Sequence, residues 1–303
     1  MTVFITLLRR EWLQHQNGWL LLVALPACIA MLLAAFTHLQ LAFDADDIAT
    51  FGHDTPLLVT AGATLAVAGL SLAMAWVTVA MMSPGLARRD QQDRSIEFWR
   101  SLPVSHSRSI AATLLMHLWL VPALALAVGV AGGLVAGILA SLREFGWGAL
   151  GEMPWLTLLP AALALLARLS LAVVLVPLWL SPLLLAAMVA AAWGKRWGLP
   201  LVLAGLGLAV VVVDRLLPLR IVGPALTRLS SEAGTALFAS RNSLHGSMPA
   251  GMGAGDALGQ FPAFMIEDAG VALSHLATPG FAAALVFSAA CFGLLVWQRQ
   301  RAG

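Results

Sequence analysis

Charged residues are scarce in this chain of 303 residues, making up 11% of it, whereas 60% of the residues are hydrophobic. An ordinary soluble domain carries roughly 25% charged residues and needs them to cover its surface. This scarcity excludes a cytosolic enzyme, a disordered tail and a secreted disulfide scaffold. A nucleic-acid-binding protein is excluded as well, because the net charge is only +2 and no basic groove or arm is apparent.

Cysteine and the common catalytic motifs are also lacking. The chain has 2 cysteines, Cys28 and Cys291, which are too few for a zinc site or a disulfide framework, and we expect them to fill small spaces in the core. No H-E-x-x-H, G-x-S-x-G or G-x-x-x-x-G-K-[ST] pattern occurs, so the sequence has no metalloprotease, serine hydrolase or P-loop signature. The apolar runs hold no acid–histidine relay of the kind that ion-coupled carriers use.

What the sequence has in abundance is long apolar runs. A run of about 18 or more apolar residues is typical of a transmembrane helix, because backbone polar groups in lipid must be satisfied within the segment. Six such runs predict an all-α polytopic membrane protein with one transmembrane domain over residues 1–303. The runs are Gly18–Phe36, Leu57–Met82, Ile110–Ala140, Leu169–Trp193, Leu199–Leu217 and Pro279–Trp297.

Two apolar segments do not fit a simple span. Trp155–Ala167 reaches only about 20 Å as a helix, against a hydrocarbon layer of about 30 Å. We expect an interfacial or re-entrant helix there, with Arg168 at the outer headgroup level, because arginine at mid-bilayer costs at least ~2.5–3.5 kcal/mol. The alternative is that this segment belongs to a span. Residues 218–278 are predicted to be an outer loop or gate region, with Glu267 and Asp268 facing solvent.

The basic residues indicate which side of the membrane each loop faces. With six spans, the two termini share one side, which carries most of the basic residues, whereas four aspartates crowd residues 44–54 on the other side. Positive charge marks the cytoplasm, so both termini are predicted to be cytoplasmic. The basic residues on that side are Arg9, Arg10, Arg88, Arg89, Arg94, Arg100, Arg108, Lys195, Arg196, Arg299 and Arg301.

Two cytoplasmic segments have an amphipathic pattern. Residues 1–17 are predicted to form an interfacial helix that leads into the first span, and a frayed N-terminus is the alternative. In the loop 83–109, Ile96, Trp99 and Leu102 form an apolar ridge on a charged helix that ends at Pro103. Such a helix between two membrane helices suits docking into a groove of a cytoplasmic partner. The alternative is a solvated, positively charged loop.

The same loop carries a family resemblance. Its stretch Glu97-Phe98-Trp99-Arg100-Ser101-Leu102-Pro103-Val104-Ser105 resembles the E-x-L-L-x-x-P-V-S stretch in the first cytoplasmic loop of type-2 ABC exporter permeases. The amphipathic start, the six spans, the cytoplasmic termini and the large loop before the last span are similar too. The chain departs from the family at Arg94-Ser95, where Gly-Thr is common, and at Ala111–Thr113, where a cation is common.

The resemblance implies a membrane-spanning permease subunit of an ATP-driven exporter in the cell inner membrane. Its coupling loop would seat on a separate ATP-binding subunit, and a second permease copy or a related permease would complete the pathway. The chain itself would bind no cofactor and no metal and would not be an enzyme, since ATP and Mg²⁺ belong to the partner. The coupling positions are Glu97, Phe98, Trp99, Arg100, Leu102 and Pro103. The alternative function is a non-transport membrane anchoring or assembly factor of a multi-subunit complex.

The third apolar run contains two further candidate features. Its glycines, Gly129, Gly133 and Gly137 with Gly132 beside them, follow the G-x-x-x-G spacing that lets helix backbones approach closely, within one subunit or across a dimer. His117 lies near the start of the run. It is either a hydrogen-bonded histidine near the inner interface or a substrate or proton contact in the pathway. A membrane-embedded enzyme would have only His117, Arg168 and the outer acids to work with.

Overall fold

A computed structural model describes residues 2–37, 55–87, 105–194, 197–217, 219–239 and 254–301. Within these ranges every regular element is helical, which confirms the all-α prediction. The helices are α1 (Thr2–Phe36), α2 (Thr55–Leu86), α3 (His106–Leu115), α4 (Val121–Phe145), α5 (Gly148–Glu152), α6 (Trp155–Gly194), α7 (Gly198–Ala209), α8 (Val222–Leu237), α9 (Ala254–Ser274) and α10 (Pro279–Arg301).

Among the described residues, 5 helices are long and apolar enough to cross a membrane. This number indicates a multi-pass membrane protein. They are Val3–Phe36, Thr55–Leu86, His106–Phe145, Trp155–Gly194 and Pro279–Arg301. The fifth predicted run is also helical, but it divides into α7, with 12 residues, and a π-helical turn, Val210–Leu216.

Two predicted boundaries are absent from the structure. The predicted interfacial segment and the first predicted run lie in one uninterrupted helix, α1, of 35 residues. The prediction of a separate re-entrant helix over Trp155–Ala167 is wrong, because α6 continues through it for 40 residues. A helix of that length extends about 60 Å, twice the hydrocarbon thickness. It is supported by neighbours along its length, since α2, α7, α8, α9 and α10 all pack against it.

The directions of the helices follow from paired contacts. On α4, Gly129 lies on Ala68 of α2 and Gly137 lies on Thr60, so these two helices are antiparallel. On α1, Ala27 faces Gly132 of α4 and the Ala35 carbonyl accepts a hydrogen bond from Arg143, so those two are parallel.

The helices α6 and α10 are also parallel. Trp179 contacts Phe281 near the start of α10, and Trp193 contacts Trp297 near its end. Between these contacts the Ser181 and Ser288 hydroxyls are 2.8 Å apart. The helix α7 folds back along α6, since Gly198 lies against Ala191.

A π-helical turn, Met116–Leu120, joins α3 to α4 where the sequence places Pro122. Proline has no N–H, and its ring crowds the carbonyl of the residue four positions earlier. A wider turn just before the proline relieves that conflict without ending the helix, and π-turns occur often at functional positions. His117 lies inside this turn.

Candidate functional site

The six predicted coupling residues, from Glu97 to Pro103, lie outside the described residues. The ends of the segment that carries them are described, however. Leu86, at the end of α2, packs with Ile110 of α3 and Leu295 of α10 in one apolar cluster. The end of α2 and the start of α3 therefore lie beside the C-terminal part of α10.

The ends of several helices meet around this apolar cluster, at a place that we call the basic end of the bundle. Arg299 of α10 donates to the Ser109 hydroxyl of α3 over 3.4 Å, and Gln298 donates to the Ala192 carbonyl of α6 over 3.4 Å. The start of α1 is close by, because Leu8 and Trp12 pack in a cluster with Met82 and Leu114. Arg301 lies over the Trp297 ring at 3.8 Å.

The predicted pathway residue His117 is buried, with 1% of its surface exposed. Its Nδ1 donates to the Thr113 carbonyl over 2.8 Å, which fixes the proton on that nitrogen. The ring meets two residues of α1 edge-on, Trp19 at 5.5 Å and His15 at 5.8 Å between centroids. The π-turn therefore holds His117 as a packed contact between α1 and α3.

A buried acid lies on α1 one turn before His15. Glu11 has 2% of its surface exposed, and its carboxylate is 3.3 Å from the Arg10 guanidinium. The polar part of α1 from Gln14 to Asn17 lines a cavity of about 300 Å³ that also reaches Thr78 and Met82 of α2. The sequence did not predict that Glu11 is buried. It shows only an acid that interrupts the apolar face of α1, and no local pattern indicates what covers that acid.

The predicted packing glycines face α2, and we call Gly129, Gly133 and Gly137 the glycine face. A Cβ atom at Gly133 would lie 2.7 Å from the Thr64 Cα, and one at Gly137 would lie 2.7 Å from the Thr60 Cα. The two backbones therefore approach as closely as only glycine permits. Next to Gly137, the Thr60 and Ser141 hydroxyls are 3.0 Å apart, and both lie within hydrogen-bonding distance of the Pro56 carbonyl, so one hydroxyl can donate to the other while that one donates to the carbonyl.

The most extensive buried polar contact is one that the sequence did not predict, and we call it the arginine cluster. Arg168 of α6 donates through Nε to Asp268 Oδ2 of α9 over 2.6 Å, and each side chain is 1% exposed. Its other nitrogens donate to two carbonyls of the last turn of α8, Ala236 at 2.9 Å and Thr235 at 3.3 Å. The Phe238 ring lies 5.7 Å from the guanidinium carbon.

Two kinds of group in the arginine cluster require partners, the carbonyls at the end of α8 and the buried guanidinium of Arg168. A helix ends with carbonyls that have no partner within the helix and with a partial negative charge, so a cation at that end is stabilising. A buried guanidinium in turn needs an acid. Arg168 satisfies the end of α8 and the Asp268 carboxylate together, so it ties α6, α8 and α9 at one point.

Arg168 is predicted to lie at the outer headgroup level; the structure shows it buried against Asp268, and its depth in the membrane stays a prediction. Two other predictions are corrected here. Asp268 does not face solvent, although Glu267 beside it does. The expectation that both cysteines fill the core holds for Cys291, which is buried, and is wrong for Cys28, which is exposed.

The described part of the chain contains no group of three or more histidine, cysteine or acidic side chains that is arranged to hold a metal ion. The fold and these contacts define a multi-pass helical membrane protein with a buried ion pair on one flank. No protein-family model, curated protein or solved structure matches the chain.

Proposed function

We propose that this chain is the membrane-spanning permease subunit of an ATP-driven ABC exporter and that a separate ATP-binding subunit drives it. The observation that carries the proposal is the place where the helices on either side of the motif-bearing segment end. The end of α2 and the start of α3, between which residues 88–104 lie in the sequence, are both beside the C-terminal part of α10, which ends with Arg299 and Arg301. A charged sequence with an apolar ridge, joined to the bundle at that place, suits docking of a cytoplasmic partner.

The helix directions support six crossings with both termini in the cytoplasm of the inner membrane. The helices α1, α2, α3 with α4, α6, α7 and α10 alternate in direction, as the paired contacts require. Counting α7 together with its π-turn as the fifth crossing brings the start of α1 and the end of α10 to the same end. Among the described residues, the helix ends that carry Arg9, Arg10, Arg108, Arg299 and Arg301 meet there, and positive residues mark the cytoplasmic side of membrane proteins.

Energy coupling gives the reason for a partner. The sequence holds no nucleotide-binding motif and no acid relay, so transport work has to enter through contact with another protein. Two copies, or one copy and a related permease, would enclose the pathway. Closure of the ATP-binding subunits would move the segment 88–104, and with it α2 and α3, which are anchored at its ends.

A co-purification experiment tests the coupling assignment. We expect the double variant Trp99→Ala, Leu102→Ala to lose its ATP-binding subunit, because truncation of an aromatic anchor at an interface costs about 2 kcal/mol or more, roughly 30-fold in Kd. The matched control is Gln91→Ala, Gln92→Ala, which changes two polar residues of the same segment.

The readouts are the amount of ATP-binding subunit retained on the tagged permease and the ATPase turnover of the reconstituted complex. Loss of both in the double variant, with the control unchanged, supports the coupling role. Unchanged retention and turnover in the double variant would contradict it and would favour the alternative function, an anchoring or assembly factor.

A further inference from the structure

A large apolar groove lies on the flank of the bundle between α6, α7, α8 and α10, and we call it the α7 groove. Its volume is about 960 Å³, which is near the upper end of the ~300–1,000 Å³ typical of ligand pockets. The lining is built mainly from aliphatic and aromatic side chains of two candidate spans, α6 and α10, together with α7 and α8. Examples are Leu183, Val202, Leu206 and Phe287.

One cation stands among these lining residues. Arg228 of α8 is the single charged side chain in the lining of the described groove. Its nearest acid is Glu232, whose Oε1 is 3.8 Å from Arg228 Nε, while Glu232 Oε2 is engaged at 2.6 Å by His275 Nδ1. The Arg228 side chain is 55% exposed. The guanidinium has five N–H donors, and its 3.8 Å separation from Glu232 is longer than a hydrogen bond.

The backbone adds positive potential at the same place. The guanidinium rests on Gly280, in the first turn of α10, where a Cβ atom would lie 2.9 Å from its central carbon. The first turn of a helix presents N–H groups and a partial positive charge, which favour an anion. Arg228 and the start of α10 therefore place a cation and helix N–H groups together at one end of the groove, with Glu232 beside the cation.

The rest of the groove is suited to hydrocarbon. From Gly280, the α10 wall continues to Ala284 and Phe287, and the α6 wall continues from Trp179 to Ala186. As a candidate span that begins at Pro279, α10 would place its first turn at the membrane boundary and its later residues deeper. The cation would then be at headgroup depth, and the apolar walls would run inward along the depth of an acyl chain.

We propose that the α7 groove binds an anionic phospholipid, with the headgroup phosphate on Arg228 and an acyl chain along α7. The site takes its lipid from the leaflet at which α10 begins. This assignment goes beyond the proposed function, because it requires only that the chain sits in a bilayer and holds whether or not an ATP-binding subunit is present.

Native mass spectrometry of the full chain, released from detergent micelles, tests the proposal with dioleoyl phosphatidylglycerol as the probe and dioleoyl phosphatidylcholine as the zwitterionic comparison. Wild type is expected to retain phosphatidylglycerol preferentially. Arg228→Gln is expected to lower that preference about tenfold, because a charge-assisted contact to phosphate is lost. The control is Arg215→Gln, which removes an exposed arginine outside the groove lining.

A second pair of variants tests the acyl-chain part of the site. Gly205 lines the groove, and Gly207 lies on the same helix outside the lining; a Cβ atom at either position would meet nothing within 4 Å. Gly205→Leu is therefore expected to obstruct part of the groove and lower retention of both lipids, whereas Gly207→Leu is expected to behave as wild type. Size exclusion of each variant reports folding and oligomeric state.

The outcomes are decisive in either direction. Loss of phosphatidylglycerol preference in Arg228→Gln, with retention lowered in Gly205→Leu and both controls unchanged, supports the site. Equal retention of phosphatidylglycerol by Arg228→Gln and wild type overturns it. A change in oligomeric state in Gly205→Leu without any change in lipid retention also overturns it, since the groove would then be a contact between copies of the chain.

Discussion

The glycine face and the arginine cluster hold helices together by opposite means. At the glycine face, α4 and α2 approach until no side chain fits between their backbones, and contact comes from backbone atoms and two hydroxyls. At the arginine cluster, α6, α8 and α9 are joined by a long side chain that fills the space between them with charge and hydrogen bonds. The glycine face depends on the absence of side-chain atoms from α4, whereas the arginine cluster depends on the guanidinium of Arg168 and its acceptors.

The difference shows what each part of a membrane protein needs. Two long apolar helices gain little from the hydrophobic effect in lipid, so close packing of small residues has to supply their attraction. The short helix α8 has a different need, because its C-terminal carbonyls and the buried Asp268 carboxylate both require donors. Arg168 provides them from α6, the helix that most of the other elements contact.

The largest expected effect comes from breaking the arginine cluster. Arg168→Leu leaves Asp268 buried without its cation and leaves two carbonyls of α8 without their donor, and removal of one partner from a buried pair typically costs ~3–5 kcal/mol. We expect the midpoint of unfolding in mixed detergent and SDS micelles, followed by circular dichroism, to fall accordingly.

The double variant Arg168→Leu, Asp268→Leu sharpens this comparison. It removes both charges, so we expect it to be more stable than the single variant, because no uncompensated ion remains. Equal stability of the single variant and wild type would mean that the ion pair does not hold α9 to α6. Arg143→Leu is the control, since it removes an arginine that is exposed and bonded to a carbonyl of α1.

The glycine face is expected to respond less strongly. Gly133→Leu places a Cβ atom 2.7 Å from the Thr64 Cα, so the two backbones must separate, and overpacking of this kind typically costs ~1–3 kcal/mol. The matched control is Gly69→Leu on α2, where a Cβ atom would meet nothing within 4 Å. The same unfolding titration measures both variants, and equal loss in the two would show that close approach at Gly133 is not the cause.

The sequence predicts these two regions unequally, for a physical reason. The glycine spacing lies within one helix, so the sequence of that helix is enough to predict a close helix contact at Gly129, Gly133 and Gly137. The spacing does not show that α2 is the partner helix. The arginine cluster joins residues 100 positions apart. The rule that an arginine in an apolar run needs an acid narrows the partner to a few residues, but only the fold places Asp268 on the helix that reaches Arg168.

The wrong boundary after Ala167 has a related cause. The prediction compared the helical length of Trp155–Ala167 with the hydrocarbon thickness. Because the segment is too short to cross the membrane, the prediction ended a helix at Ala167. The segment is the first part of α6, and the packing of α8 and α9 against α6 supports a helix longer than the bilayer is thick. The coupling positions Glu97 to Pro103 remain a prediction, because they lie outside the described residues.

The smallest expected effect concerns the two hydroxyls beside the glycine face. A double-mutant cycle of Thr60→Val and Ser141→Ala measures their coupling, and interhelical hydrogen bonds in membrane proteins average about 0.6 kcal/mol. We expect a coupling of that size, well below the loss from Arg168→Leu. Thr64→Val is the control, because the Thr64 hydroxyl donates within α2 to the Thr60 carbonyl.

The cycle separates two explanations of the α2–α4 contact. If close approach at the glycines holds the helices, the hydroxyl pair adds only a small term, and Gly133→Leu remains the more damaging change. A coupling larger than the effect of Gly133→Leu would reverse that order. The α2–α4 contact would then be held by directed polar atoms, as the arginine cluster is, and the glycines would serve to bring Thr60 and Ser141 within hydrogen-bonding distance.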